Sequence, residues 1–117
     1  MTVQRVEKPW GYELIWARTD QYVGKILHIR KDHRLSFQYH CVKDETLYLA
    51  KGKMTLVTED TEGKRQEVQM VEGDSFHIPP GLKHRMIAIE SCDVFEVSTP
   101  QLDDVVRIED AYGRVGQ

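Results

Sequence analysis

Gln38 and His40 stand two residues apart in the run SFQYHCVKDE, and Glu45 follows His40 by five. On an extended strand residues i and i+2 project from one face, so Ser36, Gln38 and His40 share a face while Phe37, Tyr39 and Cys41 take the other. The chain then runs through Val42, Lys43 and Asp44 and can return Glu45 to the first side on the next strand. An amide oxygen, an imidazole and a carboxylate converging on one point suit a metal ion with nitrogen and oxygen donors. A second stretch, GDSFHIPPGLKH at 73–84, adds to this set. Asp74, Phe76 and Ile78 alternate with Ser75 and His77 as on a strand, Pro79, Pro80 and Gly81 force a turn, and His84 opens the strand beyond it. Proline fixes its own φ and glycine reaches conformations its neighbours cannot, so such a turn can aim the side chain that follows. His77 either lines a cavity or faces solvent, and inside a cavity it is a candidate general acid or base.

The elements that would hold these residues are short strands. YVGKILHIRK, LSFQYHC, TLYLAKGKMTLVTED, KRQEVQMVEGDSFHIPPG, HRMIAIE and CDVFEVST are rich in β-branched, aromatic and leucine residues and are broken by Gly, Pro and Asp. KGK at 51–53 reads as a tight reversal and DTEGK at 60–64 as a hairpin loop around Gly63. Residues 102–114 do not choose between helix and strand, since Leu102, Val105, Val106 and Ile108 fit neither period cleanly. Many short strands in one small domain predict an all-β closed barrel or two-sheet jelly roll, a form that can hold a site in its mouth.

Composition narrows the function classes. The 117 residues suffice for one domain, residues 1–117, with a real core. Sixteen Lys and Arg are mixed with nineteen Asp and Glu, for a formal net charge of −3, which leaves no basic footprint for nucleic acid or an anionic membrane. No stretch approaches the ~20 apolar residues of a membrane span, and the opening MTVQRVEKPWGYE lacks the apolar core of a signal peptide. Cys41 and Cys92 are expected to be free thiols in a cytoplasmic protein.

The spacing is also that of a family. From QYH onward the first stretch resembles the first cupin motif: QYH, four residues, Glu45, six residues, Gly52. Gln38 stands for the first histidine of the usual pair, and Asp32 for an upstream glycine. The second stretch resembles the second cupin motif as Gly73, five residues, Pro79-Pro80-Gly81, two residues, His84, with Ala88 in place of a terminal asparagine. Within that family, LSFQYHCVKDE is similar to LSLQMHHHRAE of the type II mannose-6-phosphate isomerases, KPWGYE to RPWGYYE, and DDVVRIEDAYGR to DDIVRFEDRYGR. The resemblance implies a cupin-type jelly-roll β-barrel (a double-stranded β-helix) with metal ligands Gln38, His40, Glu45 and His84. It implies zinc first, with manganese, iron, cobalt or nickel compatible with the same donors.

The activity that follows from the resemblance is a metal-dependent aldose–ketose isomerase acting on a sugar or sugar phosphate, a small molecule rather than a macromolecule. Lys43, His77 and Arg107 are the expected catalytic residues: Lys43 or His77 as base, Arg107 and Lys43 as a clamp for a phosphate. Arg114 is expected to pair with a nearby acid, Lys25 to guard an edge strand or match a family lysine, and Trp10 to pack a terminal strand. His28 and His33 are expected to be ordinary strand and turn residues. An iron-dependent dioxygenase and a non-catalytic carbohydrate-binding module are the alternatives. A homodimer is expected.

Overall fold

The computed structural model describes residues 2–115, and the fold follows from strands whose side chains alternate between a core and an outer face. In β5 (Glu45–Lys51) Glu45, Leu47 and Leu49 are buried while Thr46, Tyr48 and Ala50 are not. In β10 (Cys92–Ser98) Cys92, Val94, Glu96 and Ser98 are buried and Phe95 and Val97 exposed. Such alternation buries one face of each strand, and two sheets facing each other satisfy it.

One sheet has β1 (Gln4–Lys8), β2 (Gly11–Arg18), β3 (Val23–Ile29), β10, β5 and β8 (Ser75–Ile78) in that order. The other has β11 (Val106–Glu109), β4 (Phe37–Tyr39), β9 (Lys83–Ala88), β6 (Lys53–Glu59) and β7 (Arg65–Val71). All pairings are antiparallel, as a jelly roll requires. Leu27, Ile29, Leu47, Leu49, Leu56, Ile78, Met86 and Val94 form the apolar half of the interior, with Trp10 packed against them as expected. No helix among the described residues is long and apolar enough to cross a membrane.

The ambiguous segment after residue 101 resolves as the short strand β11 flanked by turns. The hairpin β1–β2 is an element that the sequence reading did not mark as two strands. Between β10 and β5 the register shifts by one: Asp93 faces Lys51 but Val94 faces Leu49, so Ala50 is passed over. Glu96 therefore lies opposite Leu47, and Ser98 opposite Glu45.

Two turns show what the backbone demands. Gly52 has φ +96, and a Cβ there would sit 2.3 Å from the Ser91 carbonyl oxygen. Asp32, which replaces the glycine of the cupin motif, has φ +66, the left-handed region that aspartate tolerates better than most residues. Asp32→Gly is therefore expected to stabilise the fold by about 0.5 kcal/mol, and Asp32→Val to destabilise it by about 1–2 kcal/mol. Gly52→Ala should cost about 3 kcal/mol or more, because strain and overlap add. Urea melts of the three variants check these values.

Candidate metal centre

His40 follows β4 and Glu45 opens β5, so two donors flank one loop. His84 lies on β9, directly across from Gln38, and cross-strand partners share a face. One donor atom from each of His40, Glu45 and His84 lies within 4.8 Å of the others, and all three side chains are buried. The three could hold a metal ion together.

The rings are oriented by backbone carbonyls. His40 Nδ1–H donates to the Asp104 carbonyl at 2.6 Å, and His84 Nδ1–H donates to the Leu82 carbonyl at 2.9 Å. A carbonyl only accepts, so in each ring Nδ1 carries a proton and Nε2 is turned to the centre, which is how ligating histidines are usually fixed. His40 Nε2 lies 2.9 Å from Glu45 Oε1 and His84 Nε2 lies 3.4 Å from the same oxygen. His84 Nε2 is buried and makes no aligned hydrogen bond. An orphaned imidazole nitrogen beside a carboxylate oxygen is a costly arrangement that a cation would satisfy. The donor set thus fits a divalent transition metal.

Turn chemistry holds this geometry. Gly81, at φ +86 after the two prolines, donates its N–H to the His40 carbonyl at 2.7 Å, tying the second motif to the first. Asp104 accepts N–H bonds from Cys41, Val42 and Lys43 at 3.0, 2.7 and 2.8 Å. The Lys43, Cys41 and Val42 amides together hold its carboxyl down to about 2.

Gln38 faces the same cavity, and its Oε1 accepts a bond from Ser36 Oγ at 2.5 Å. The amide oxygen keeps a second lone pair, which leaves it free to donate to an ion held by the other three. Lys43 is buried rather than a solvated loop charge, with Nζ 3.3 Å from Glu45 Oε2 and 3.1 Å from Glu96 Oε2. Burial opposes its charge, but Glu96 and Glu45 outweigh it and hold Lys43 above the usual lysine range. The two ion pairs favour Lys43 as a fixed cation over its expected part as a base. Burial also disfavours the Glu45 charge, yet hydrogen bonds with His40, His84 and Glu96 and the charge of Lys43 bring it well below the ordinary glutamate range.

His77 is not brought into the site. Its neighbours Phe76 and Ile78 take the inner face, so His77 points outward and its Nε2 meets Asp44 Oδ1 at 2.6 Å with both side chains about half exposed. Arg107, opposite Gln38 on β11, lines the cavity, and burial and then Arg114 lower its pKa. Arg114 forms the expected pair, bidentate to Asp110 at 2.8 and 3.2 Å. Lys25 is not on an edge: β3 lies between β2 and β10, and Lys25 is buried 3.4 Å from Glu13. His28 bonds Asp93 and His33 bonds the Lys31 carbonyl, both outside the cavity. Cys41 and Cys92 are free thiols.

The residue that the sequence reading missed is Glu96. It is buried beside Lys43 and Glu45, and desolvation, followed by the Glu45 charge, raises its carboxyl to about 7 against the pull of Lys43. The signal was present in CDVFEVS, where Cys92, Val94, Glu96 and Ser98 occupy the inward parity. Gln38, His40, Lys43, Glu45 and Glu96 line a cavity of about 310 Å³, whose other walls include Glu13, Lys25, Lys8 and Arg107.

A model of the cupin domain matches residues 26–98. The chain is a cupin. It is 30% identical over 117 residues to the xanthan biosynthesis protein XanB of Xanthomonas campestris pv. campestris, covering 95% of this cupin and 24% of that protein. It is 33% identical over 118 residues to a mannose-1-phosphate guanylyltransferase of Escherichia coli K12, covering 96% of this cupin and 23% of the enzyme. The chain thus spans about a quarter of the length of these curated relatives. Among solved structures, KdgF from Halomonas sp. superposes with a TM-score of 0.73 at 20% identity, over 88% of this chain and 91% of that one. Oxalate decarboxylase from Bacillus subtilis superposes with a TM-score of 0.78 at 16% identity, over 91% and 30%. Both likenesses are of fold alone.

The pair of interior carboxyls gives a pH signature. With the Glu96 carboxyl raised from the ordinary 4.5 to about 7, the folded state holds a proton that the unfolded state has lost between those values. Stability from this source is present below pH 4.5 and is lost as pH rises through 7. Metal-free protein is expected to lose stability across that window, and Glu96→Gln to flatten the decline. Urea melts at pH 5 and pH 8 check it.

Proposed function

We propose that this cupin is a metal-dependent isomerase that interconverts the aldose and ketose forms of a sugar or sugar phosphate. The observation that carries the proposal is the wall beside the metal centre. Glu13, Lys25, Glu96, Lys43 and Glu45 form a buried row of alternating sign along one cavity, with Lys25 and Glu96 opposite each other on adjacent strands. Hydroxyl groups donate to carboxylates and accept from ammoniums, so a polyol matches both signs, whereas an apolar ligand would cover these paired charges and offer them no hydrogen bond. The cavity volume, about 310 Å³, is at the small end of ligand sites and suits a small molecule.

A divalent ion held by His40, Glu45 and His84, with Gln38 as the fourth donor, would supply Lewis acidity at the substrate carbonyl. Zinc heads the metals that fit, followed by manganese, iron and nickel. Glu96, a carboxyl that titrates near neutrality, takes the proton from one carbon and returns it to the next. Lys43 stays charged between Glu96 and Glu45 and steadies the negative charge that develops on the substrate oxygens. Arg107, with Lys8 on the same cavity, holds an anionic group where the substrate has one.

Two imidazoles and one carboxylate also match the donor triad of non-haem iron oxygenases, which favours the dioxygenase as a second reading. Oxygen consumption with Fe(II) and none with zinc would establish it in place of the isomerase. For the isomerase, NMR of hexoses and hexose phosphates in deuterated buffer with metal-loaded protein should show exchange at C2. Glu96→Gln is expected to slow that exchange by about 10²–10⁴-fold while metal binding persists. No exchange with any common aldose would remove the reading. A homodimer in the cytoplasm belongs to the same proposal: β1 is an open edge strand that a second copy could extend, and sedimentation equilibrium should return twice the chain mass.

A further inference from the structure

We propose that Asp104 is a positioning residue for the metal centre, setting both the ring of His40 and the backbone that leads from it to Glu45. The inference rests on the reading of His40, Glu45 and His84 as metal donors. Residues 41–44 run between β4 and β5, outside any ladder, and their amides must find acceptors elsewhere. Those of Cys41, Val42 and Lys43 go to the Asp104 carboxylate, Oδ1 taking the first and Oδ2 the other two. The amide of Asp44 goes to Thr99 Oγ1 at 3.0 Å, and the Asp44 carbonyl accepts the Thr99 N–H at 3.0 Å. The loop that separates His40 from Glu45 is thus held by a strap some sixty residues away in sequence, in addition to the strand pairing of Glu45.

The same residue acts on the imidazole directly. The Asp104 carbonyl accepts His40 Nδ1–H, which leaves Nε2 aimed at Glu45 Oε1. Carbonyl and carboxylate of one residue therefore grip the ring and the loop, and neither can shift without the other. Asp103 and Val105, on either side, line the cavity, so the strap that positions the donor is also a wall of the ligand space. Partners of this kind typically change metal affinity about 10–100-fold when removed.

The test uses Co(II) as the probe, with affinity measured by chelator competition and geometry by the visible absorption of the bound ion. Asp104→Ala is expected to weaken Co(II) binding by about 10–100-fold and to alter the absorption band, and Asp104→Asn, which keeps one acceptor oxygen, to weaken it less. Asp60→Ala is the control: Asp60 likewise accepts loop amides, those of Glu62 and Lys64, but sits in the hairpin loop far along the chain. It should lower stability while leaving the affinity for Co(II) unchanged. Wild-type affinity and spectrum in Asp104→Ala, or in Asp104→Asn should the alanine variant fail to fold, would overturn the proposal. The ring ¹⁵N shifts of His40 in metal-free protein give a second readout: Asp104→Ala keeps the backbone carbonyl that accepts Nδ1–H, so a changed shift reports movement of the strap that carries this carbonyl. If the wild type takes no Co(II), the metal reading fails, and that ¹⁵N comparison alone decides the role of Asp104: unchanged shifts overturn it.

Discussion

A carboxylate inside a β-barrel is tolerable only where donors and cations surround it, and the placement of Glu45 organises everything near it. One oxygen faces His40 Nε2 and His84 Nε2, the other faces the ammonium of Lys43, which in turn reaches Glu96. The chain continues the pattern across the sheet, where Lys25 meets Glu13 and Glu13 approaches Lys8. Each charge is compensated by a neighbour of opposite sign, so the polar half of the interior is a connected network rather than a set of isolated pairs. The apolar half, from Leu27 to Val94, supplies the packing that holds the two sheets together around the network.

The ligand cluster was legible because its spacing is a backbone matter. Two residues on one strand face, a loop of fixed length and a Pro-Pro-Gly turn mark His40, Glu45 and His84 in the sequence, though not the strap that holds the loop. His77 was left open between cavity and solvent and counted among the expected catalytic residues, although Phe76 and Ile78 on both sides of it are apolar and claim the inner face. Glu96 and Lys25 were hidden by a different cause: each sits at an inward position of an apolar strand, where composition says core and only parity reveals a buried charge. Asp104 was marked only by its place in DDVVRIEDAYGR, which says nothing of what it holds. Its role depends on a tertiary contact between a strap and a loop that are distant in sequence.

Departures from the family pattern have separate physical meanings. Asp32 in place of glycine keeps a left-handed backbone angle, and its amide still reaches the Ala88 carbonyl, so the turn survives the exchange. Ala88, where the second motif ends in asparagine, is buried against the apolar cluster and extends the core. Gln38 in place of histidine keeps the inward position opposite His84 while replacing an imidazole by a neutral amide oxygen. Neither of the first two touches the metal donors, and only the third changes the character of the ion they would hold.

The one-residue offset at Ala50 bears on how this barrel can diverge. Side chains that meet across β5 and β10 agree in face only because the offset brings Glu96 to Leu47 and Ser98 to Glu45. Losing one residue from β5 beyond that point would reverse the parity of everything behind it and turn Glu45 to the outside. Point substitutions can therefore explore new chemistry in the interior, while length changes within this strand pair destroy it in a single step. Variation in length is left to the exposed turns, such as the Asp60–Lys64 loop, where no inward side chain depends on the count.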